Sequence, residues 1–342
     1  MIIDMDYILE MTNRLIQVPS PSGYTRKVMD LVESELKKFN ISYDFTKKGA
    51  IIASLSGKNK NYKKMISAHV DTIGAVVKKI KSNGRLELTN IGGLVWGSVE
   101  GENLKIITLD GREYEGTLLP NKASVHVYNK DAHILPRTSE TMEVRLDQDV
   151  KNIDDVNKLG IRPGDFVYYD PRTRLTESGY IKSRYLDDKL CVAQILGYIK
   201  FLNEHKIAPN SDLYIYFSNY EEVGHGISLF PSDLDEFIAI DIGLANNDMN
   251  GDEKKVSIAA KDSKTPYDFH IRQKLVKLAE ENGIKYTVDV YNRYGSDASV
   301  SIMNGFDCKI GCIGPAIDAS HHYERTHVDG IAETVKLLLA YL

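Results

Sequence analysis

The sequence predicts an α/β protein: a mostly parallel sheet sandwiched by helices, with a small all-β barrel domain inserted into it. Two textures along the chain point there. From Ser183 onward, short β-branched or aromatic runs alternate with longer helical stretches, the pattern of strands joined through helical crossovers. Residues 73–176 instead carry strand after strand with tight turns between them. A length of 342 residues suits one large domain plus a smaller one. The expected division is 1–72 with 177–342 as the α/β domain and 73–176 as the insert.

The elements follow in order. Ile8, Met11 and Leu15 share one helix face within residues 6–18. "VPSPSGYT" breaks that helix, and Thr25 opens a second one with Val28, Leu31, Val32 and Leu36 inward. "GAIIASLSG" and "KKMISAHVD" read as strands, the latter ending at His69 and Asp71. "AVVKKIKSNGRLELTNIGG" is a hairpin about Asn83-Gly84, and "NLKIITLDGREYEGTLLP" repeats the device about Asp110-Gly111. "KASVHVYN" and "GDFVYYD" read as further strands, with "IRPGD" as a turn between. Then "DDKLCVAQILGYIKFLNEH" is a helix, and "DLYIYFSN" and "EFIAIDIG" are strands. "PYDFHIRQKLVKLAEENG" is a helix, "KYTVDVYN" a strand, and "GSDASVSIMNG" a helix start. "CKIGCIGP" is a strand, and "ERTHVDGIAETVKLLLAYL" a closing helix with Thr326 as N-cap and His327 inside.

With 42% hydrophobic and 27% charged residues the chain has an ordinary globular composition. A net charge of -5 without a basic run gives no footprint for nucleic acid or for a membrane surface. No apolar stretch approaches the roughly 20 residues of a membrane span, and "MIIDMDYILE" lacks a signal-peptide pattern. Cys191, Cys308 and Cys312 are odd in number and lack zinc-finger spacing, so a reducing, cytoplasmic setting is expected.

Ligands of open α/β sheets gather at the carboxyl ends of strands. His69 and Asp71 close one predicted strand, Glu221 and Glu222 follow another, and Asp241 closes a third. Asp187 and Asp188 precede the long helix, and "ASHHYERTH" follows the last strand. Each alone has a plain reading: His69 as a satisfied core histidine, Asp241 as a turn residue, Asp187-Asp188 as caps, the Glu pair as a solvated loop. Together they make a site of carboxylate and imidazole without thiol, which suits Zn²⁺, Co²⁺ or Mn²⁺ in an open, catalytic arrangement. So many carboxylates share a cavity only around a cation, and a pair of metals about 3.5–4 Å apart accounts for their number.

"AHVDTIG", "LDDK", "EEVG", "AIDIG" and "GSDA", in this order over nearly the whole chain, resemble the glutamyl and tetrahedral aminopeptidase family of di-metal exopeptidases. That family is related to the wider co-catalytic zinc aminopeptidase clan. The resemblance implies a zinc-exopeptidase-like fold and two divalent metals per subunit, Zn²⁺ first, with Co²⁺ or Mn²⁺ as alternatives. It implies His69 and Asp241 as ligands of one metal, Glu222 of the other, and Asp187 as the bridge, with a cis Asp187–Asp188 peptide. Asp71 is implied as the carboxylate orienting the His69 ring, and Glu221 as the general base toward the attacking water. "GSDA" is implied to line the substrate cleft. The implied reaction is removal of N-terminal residues from short peptides. The implied assembly is a homo-oligomer, often a tetrahedral dodecamer, built through the inserted domain.

Three departures from the family pattern stand out. Thr72 replaces a frequent Glu, Lys189 stands where "DDR" has arginine, and "SHHYERTH" replaces "H-S/T-P-x-E". His321, His322 and His327 therefore compete for the last ligand position. A sub-group with "SH-x-YERTH" favours His321 over His322, and His327 comes last. Two readings compete with the aminopeptidase: a di-metal deacylase of small N-acyl metabolites, and a non-catalytic scaffold of the same fold. A glycosidase, which needs two metal-free carboxylates, fits the histidine-rich cluster poorly.

Overall fold

The computed structural model describes residues 3–227 and 229–342. The chain divides into two compact units, Met1–Asp71 with Arg172–Leu342, and Thr72–Pro171. The second boundary falls five residues before the expected 176/177. Residues 172–176 contribute instead to a hairpin of the larger unit, Arg174–Leu175 with Tyr180–Ser183.

The larger unit is built on strands β1 (Ser42–Phe45), β2 (Ile51–Leu55), β3 (Asn59–His69), β4 (Ser211–Ser218), β5 (Glu236–Ile240), β6 (Val256–Lys261), β7 (Tyr286–Val290) and β8 (Lys309–Ile317). They lie in the order β1-β2-β4-β3-β5-β8-β6-β7. The central run β4-β3-β5-β8 is parallel. Antiparallel pairs, β1 with β2, β2 with β4 and β6 with β8, bring in the outer strands.

Successive residues of the central strands enter two different cores, which is why these strands read as continuous apolar runs. Ile66, Ile238, Ile240 and Ile313 pack on one face, and Met65, Phe237, Ala239 and Cys312 on the other. The first face is covered by α1 (Met5–Gln17), α2 (Arg26–Lys38), α3 (Leu186–His205), α4 (Phe269–Glu281) and α6 (Val328–Tyr341). Of the predicted inward residues, Ile8, Met11, Leu15, Val28, Val32 and Leu36 are buried there, and Leu31 is half-buried against the same core. The second face is covered by the short α5 (Asp297–Met303) through Ala298 and by loop residues Ile227 and Leu234. α3 is buried from Leu186 through Ile199 and carries no polar stripe, so it is the central helix of its layer.

The closing segment differs from expectation. Glu324–His327 is a strand, paired with Tyr180–Ser183, and its register partner Tyr180 takes up His327. α6 therefore begins at Val328, and its N-cap is His327, whose side chain accepts from the Asp329 N–H, not Thr326.

The smaller unit is a closed antiparallel barrel. Its strands run in the order Gly74–Ile80, Leu86–Ile91, Met142–Leu146, Glu113–Pro120, Asn103–Ile107 and Phe166–Tyr169, and the last pairs with the first. "KASVHVYN", predicted as a strand, forms the short helix Val125–Tyr128, followed by Lys130–Ile134. Glu113–Pro120 and Met142–Leu146 pair directly with each other, so the residues between them have no ladder to join. Among the described residues, no helix is long and apolar enough to cross a membrane.

Candidate metal centre

The parallel register explains why residues far apart in sequence meet. Ser218 pairs with His69 at the ends of β4 and β3, and Ala239 of β5 pairs with Ser67. His69, the Glu221-Glu222 turn after β4, and Asp241 after β5 therefore leave the sheet side by side. The start of α3 supplies Asp187, and the loop after β8 supplies His321. The Asp187–Asp188 peptide is cis.

Two donor groups result. His69, Asp187 and Asp241 place ligand atoms within 4.8 Å of one another, and so do Asp187, Glu222 and His321. Asp187 belongs to both. One oxygen lies 3.2 Å from His69 Nε2, and the other lies 3.6 Å from His321 Nε2, which is also 3.4 Å from Glu222 Oε2. His322 is exposed and joins neither group. His327 is engaged elsewhere, its Nε2 with the Ser178 carbonyl at 2.9 Å and its Nδ1 with the Asp329 N–H.

The donor chemistry fits divalent cations. Burial, followed by neighbouring carboxylates, pushes Glu222 up to about 7 and Asp241 up to about 8. The imidazoles respond in the opposite sense. Burial opposes their charge, but Glu222 and Asp187 hold His321 up at about 10, and Asp187 and its neighbours hold His69 well above its ordinary value. Glu222 Oε1 is buried with no hydrogen-bond partner among the described residues. Such a site takes up protons in place of cations. All four shifts favour a bound proton, so a ligand must shed its proton to bind a cation. Metal binding is expected to release protons, with apparent affinity rising from pH 6 to pH 8. Titration calorimetry in two buffers of different ionisation heat measures this; a buffer-independent heat would contradict it.

Glu221 stands beside the two groups without belonging to either, its Oε2 3.8 Å from His69 Nε2. Burial first, then Asp241, Asp297 and Glu222, push its carboxyl well above the ordinary range. Asp71 does something the sequence did not suggest. The His69 ring is held through the Asp71 main chain, with Nδ1 2.9 Å from its carbonyl oxygen and 3.7 Å from its carboxylate. That carboxylate is taken up elsewhere: it accepts from the Glu221 N–H at 3.1 Å, the Glu222 N–H at 3.3 Å and the Ser22 hydroxyl. With Nδ1–H donating to the carbonyl, Nε2 is the nitrogen that faces Asp187: it donates to that carboxylate while protonated and offers its lone pair to a cation once the proton is shed.

Ser22 and Glu324 were not singled out by sequence reasoning, and Asp297 only as part of "GSDA". Ser22 lies in "VPSPSG", read only as a helix break. Asp297 of "GSDA" is buried, accepts from the Ser218 hydroxyl, and sits so close to Gly226 that a Cβ there would lie 2.2 Å from its Oδ1. The second glycine of "EEVGHG" is therefore a close-approach position. Lys189 is fully buried and donates to the Val18 carbonyl at 2.7 Å, a single-point contact that an ammonium makes as well as a guanidinium.

Residues 49–337 match the family described as M42 glutamyl aminopeptidase. The protein YhfE of Bacillus subtilis (strain 168), provisionally named an aminopeptidase, is 44% identical over 335 residues, covering 98% of this chain and 96% of its own. Among solved structures, an aminopeptidase from the archaeon Desulfurococcus kamchatkensis superposes with a TM-score of 0.88 at 24% identity, over 98% of this chain and 94% of its own. The Pyrococcus horikoshii TET1 peptidase, which can assemble into a tetrahedron or a large octahedral shell, gives a TM-score of 0.83 at 23% identity, over 97% and 98%. With the family match spanning most of the sequence, the chain belongs to the M42 glutamyl aminopeptidases.

Proposed function

We propose that this metallo-aminopeptidase removes N-terminal residues from short peptides, with His69, Asp187 and Asp241 holding one divalent cation and Asp187, Glu222 and His321 the other. The observation that carries this reading is the sharing of Asp187 between the two donor groups, with Glu221 beside both but in neither. Bound there, such cations supply Lewis acidity toward the scissile carbonyl and lower the pKa of water. Glu221 takes the proton of the attacking water and passes it to the leaving amine. Asp71 fixes the turn on which Glu221 and Glu222 both ride. Zn²⁺ is the first choice for a carboxylate–imidazole set, with Co²⁺ or Mn²⁺ able to substitute.

We further infer a homo-oligomer built through the barrel unit, of the kind the TET1 peptidase forms. Three free cysteines fit a reducing, cytoplasmic setting. The test uses paired substrates on purified protein: aminoacyl-p-nitroanilides with a free amine, and N-acyl amino acids. Cleavage of the first alone, lost on chelation and restored by Zn²⁺, Co²⁺ or Mn²⁺, is the expected result. Preference for the N-acyl substrates would make the protein a deacylase, and a protein that binds no metal and cleaves neither would be a scaffold.

A further inference from the structure

Glu324 lies outside both donor groups, yet its carboxylate reaches the main chain of both segments that carry Asp187 and His321. It is buried, at 2% exposure. Oε2 accepts from the N–H of Leu186 at 2.7 Å and of Asp187 at 3.2 Å. Oε1 accepts from the N–H of His321 at 3.1 Å. The same two segments hold three non-glycine residues at positive φ: Tyr185 at 68°, Ala319 at 58° and His321 at 62°. Backbone of that kind persists only where its surroundings over-determine it. A buried carboxyl whose two oxygens accept three main-chain N–H groups supplies that constraint. The turn at His321 directs its ring toward Asp187 and Glu222, while the next residue, His322, is exposed.

We propose that Glu324 is a positioning residue for the second metal. It pins the main chain of the bridging carboxylate and of the last histidine, so that both side chains converge on one point, and it touches neither metal nor substrate itself. The inference rests on the di-metal reading above. Glutamine at 324 keeps the length and one acceptor oxygen, but turns an NH₂ toward N–H donors. It should therefore loosen one segment without emptying the pocket.

The experiment is a Zn²⁺ titration of metal-free wild type, Glu324→Gln and Glu324→Ala against a chromophoric chelator, with melting curves in excess chelator and kinetics at fixed free Zn²⁺. The expected result for Glu324→Gln is a second Zn²⁺ bound about 10- to 100-fold more weakly, with the first weakened less, because the first group shares Asp187 but not His321. Its kcat should fall at limiting Zn²⁺ and recover as Zn²⁺ is raised, with KM unaltered, and its metal-free melting temperature should fall by a few degrees at most. Glu324→Ala should lose the second metal more completely. Two equally tight metals in Glu324→Gln would overturn the inference. So would parallel loss of both metals with a metal-free melting temperature lowered by more than that, which would make Glu324 a residue of the fold alone. Wild type that binds no Zn²⁺ would instead overturn the di-metal reading.

Discussion

Glu221→Gln is expected to keep two metals per subunit and to lose about 10³-fold in kcat, within the range by which a positioned general base accelerates proton transfer. Its carboxylate belongs to neither donor group, and its N–H bond to Asp71 survives the substitution. The adjacent Glu222→Gln should behave differently. Glu222 is a member of the second group and stands 3.4 Å from His321 Nε2. Removing its charge should weaken one metal at least about tenfold, a cost that even outer partners of ligands can reach, and added metal should restore part of the activity. Metal analysis and kinetics on the two variants side by side make the comparison. Equal metal loss in both, or an active Glu221→Gln enzyme, would sink the division of labour within the pair.

Asp187→Asn is expected to have the largest effect of all. Asp187 is the one residue shared by the two groups, with an oxygen toward each imidazole. An amide offers one coordinating oxygen and turns N–H donors toward the other position. Both metals should be lost, and with them several kcal/mol of transition-state stabilisation, a rate loss on the order of 10⁴ or more. Stability gives an independent readout. Ligands present at about a thousand times Kd add about 4 kcal/mol to the folded state, so wild type should melt higher with Zn²⁺ than with chelator. Asp187→Asn should show no such difference and should melt within a few degrees of chelated wild type. A variant that retains two metals would contradict the bridging role. One that melts far below chelated wild type would mark Asp187 as a fold residue.

The strand-end residues were legible in the sequence because their signal is doubly local: a β-branched run announces a strand, and a charged residue at its end has few reasons to be there. His69, Glu221, Glu222 and Asp241 all follow that rule. Helical spacing likewise identified the buried faces of α1 and α2. Sequence could not decide between His321 and His322, because only the backbone turn at His321 separates a ring facing Asp187 from one facing solvent. Glu324 was invisible for a related reason: it acts on main-chain N–H groups, which leave no trace in residue types. Sequence placed the Asp71 carboxylate beside the His69 ring, where it lies 3.7 Å from Nδ1; what sequence did not suggest is the closer carbonyl and the carboxylate's bonds to the Glu221-Glu222 turn. "KASVHVYN" has the period of a strand, and what it lacks is a partner, which is a property of the whole barrel.

The order in which the chain supplies the donors has a consequence for biosynthesis. His69 precedes the barrel unit, Asp187 follows it, and His321 follows the last strand of the sheet. A nascent chain can thus complete neither donor group until widely separated segments have been joined across long loops. The second cannot form before His321 has been translated and folded onto the sheet. On the proposed ligand set, a chain not yet folded through His321 lacks the second donor group, and peptidase activity would follow the completion of the fold.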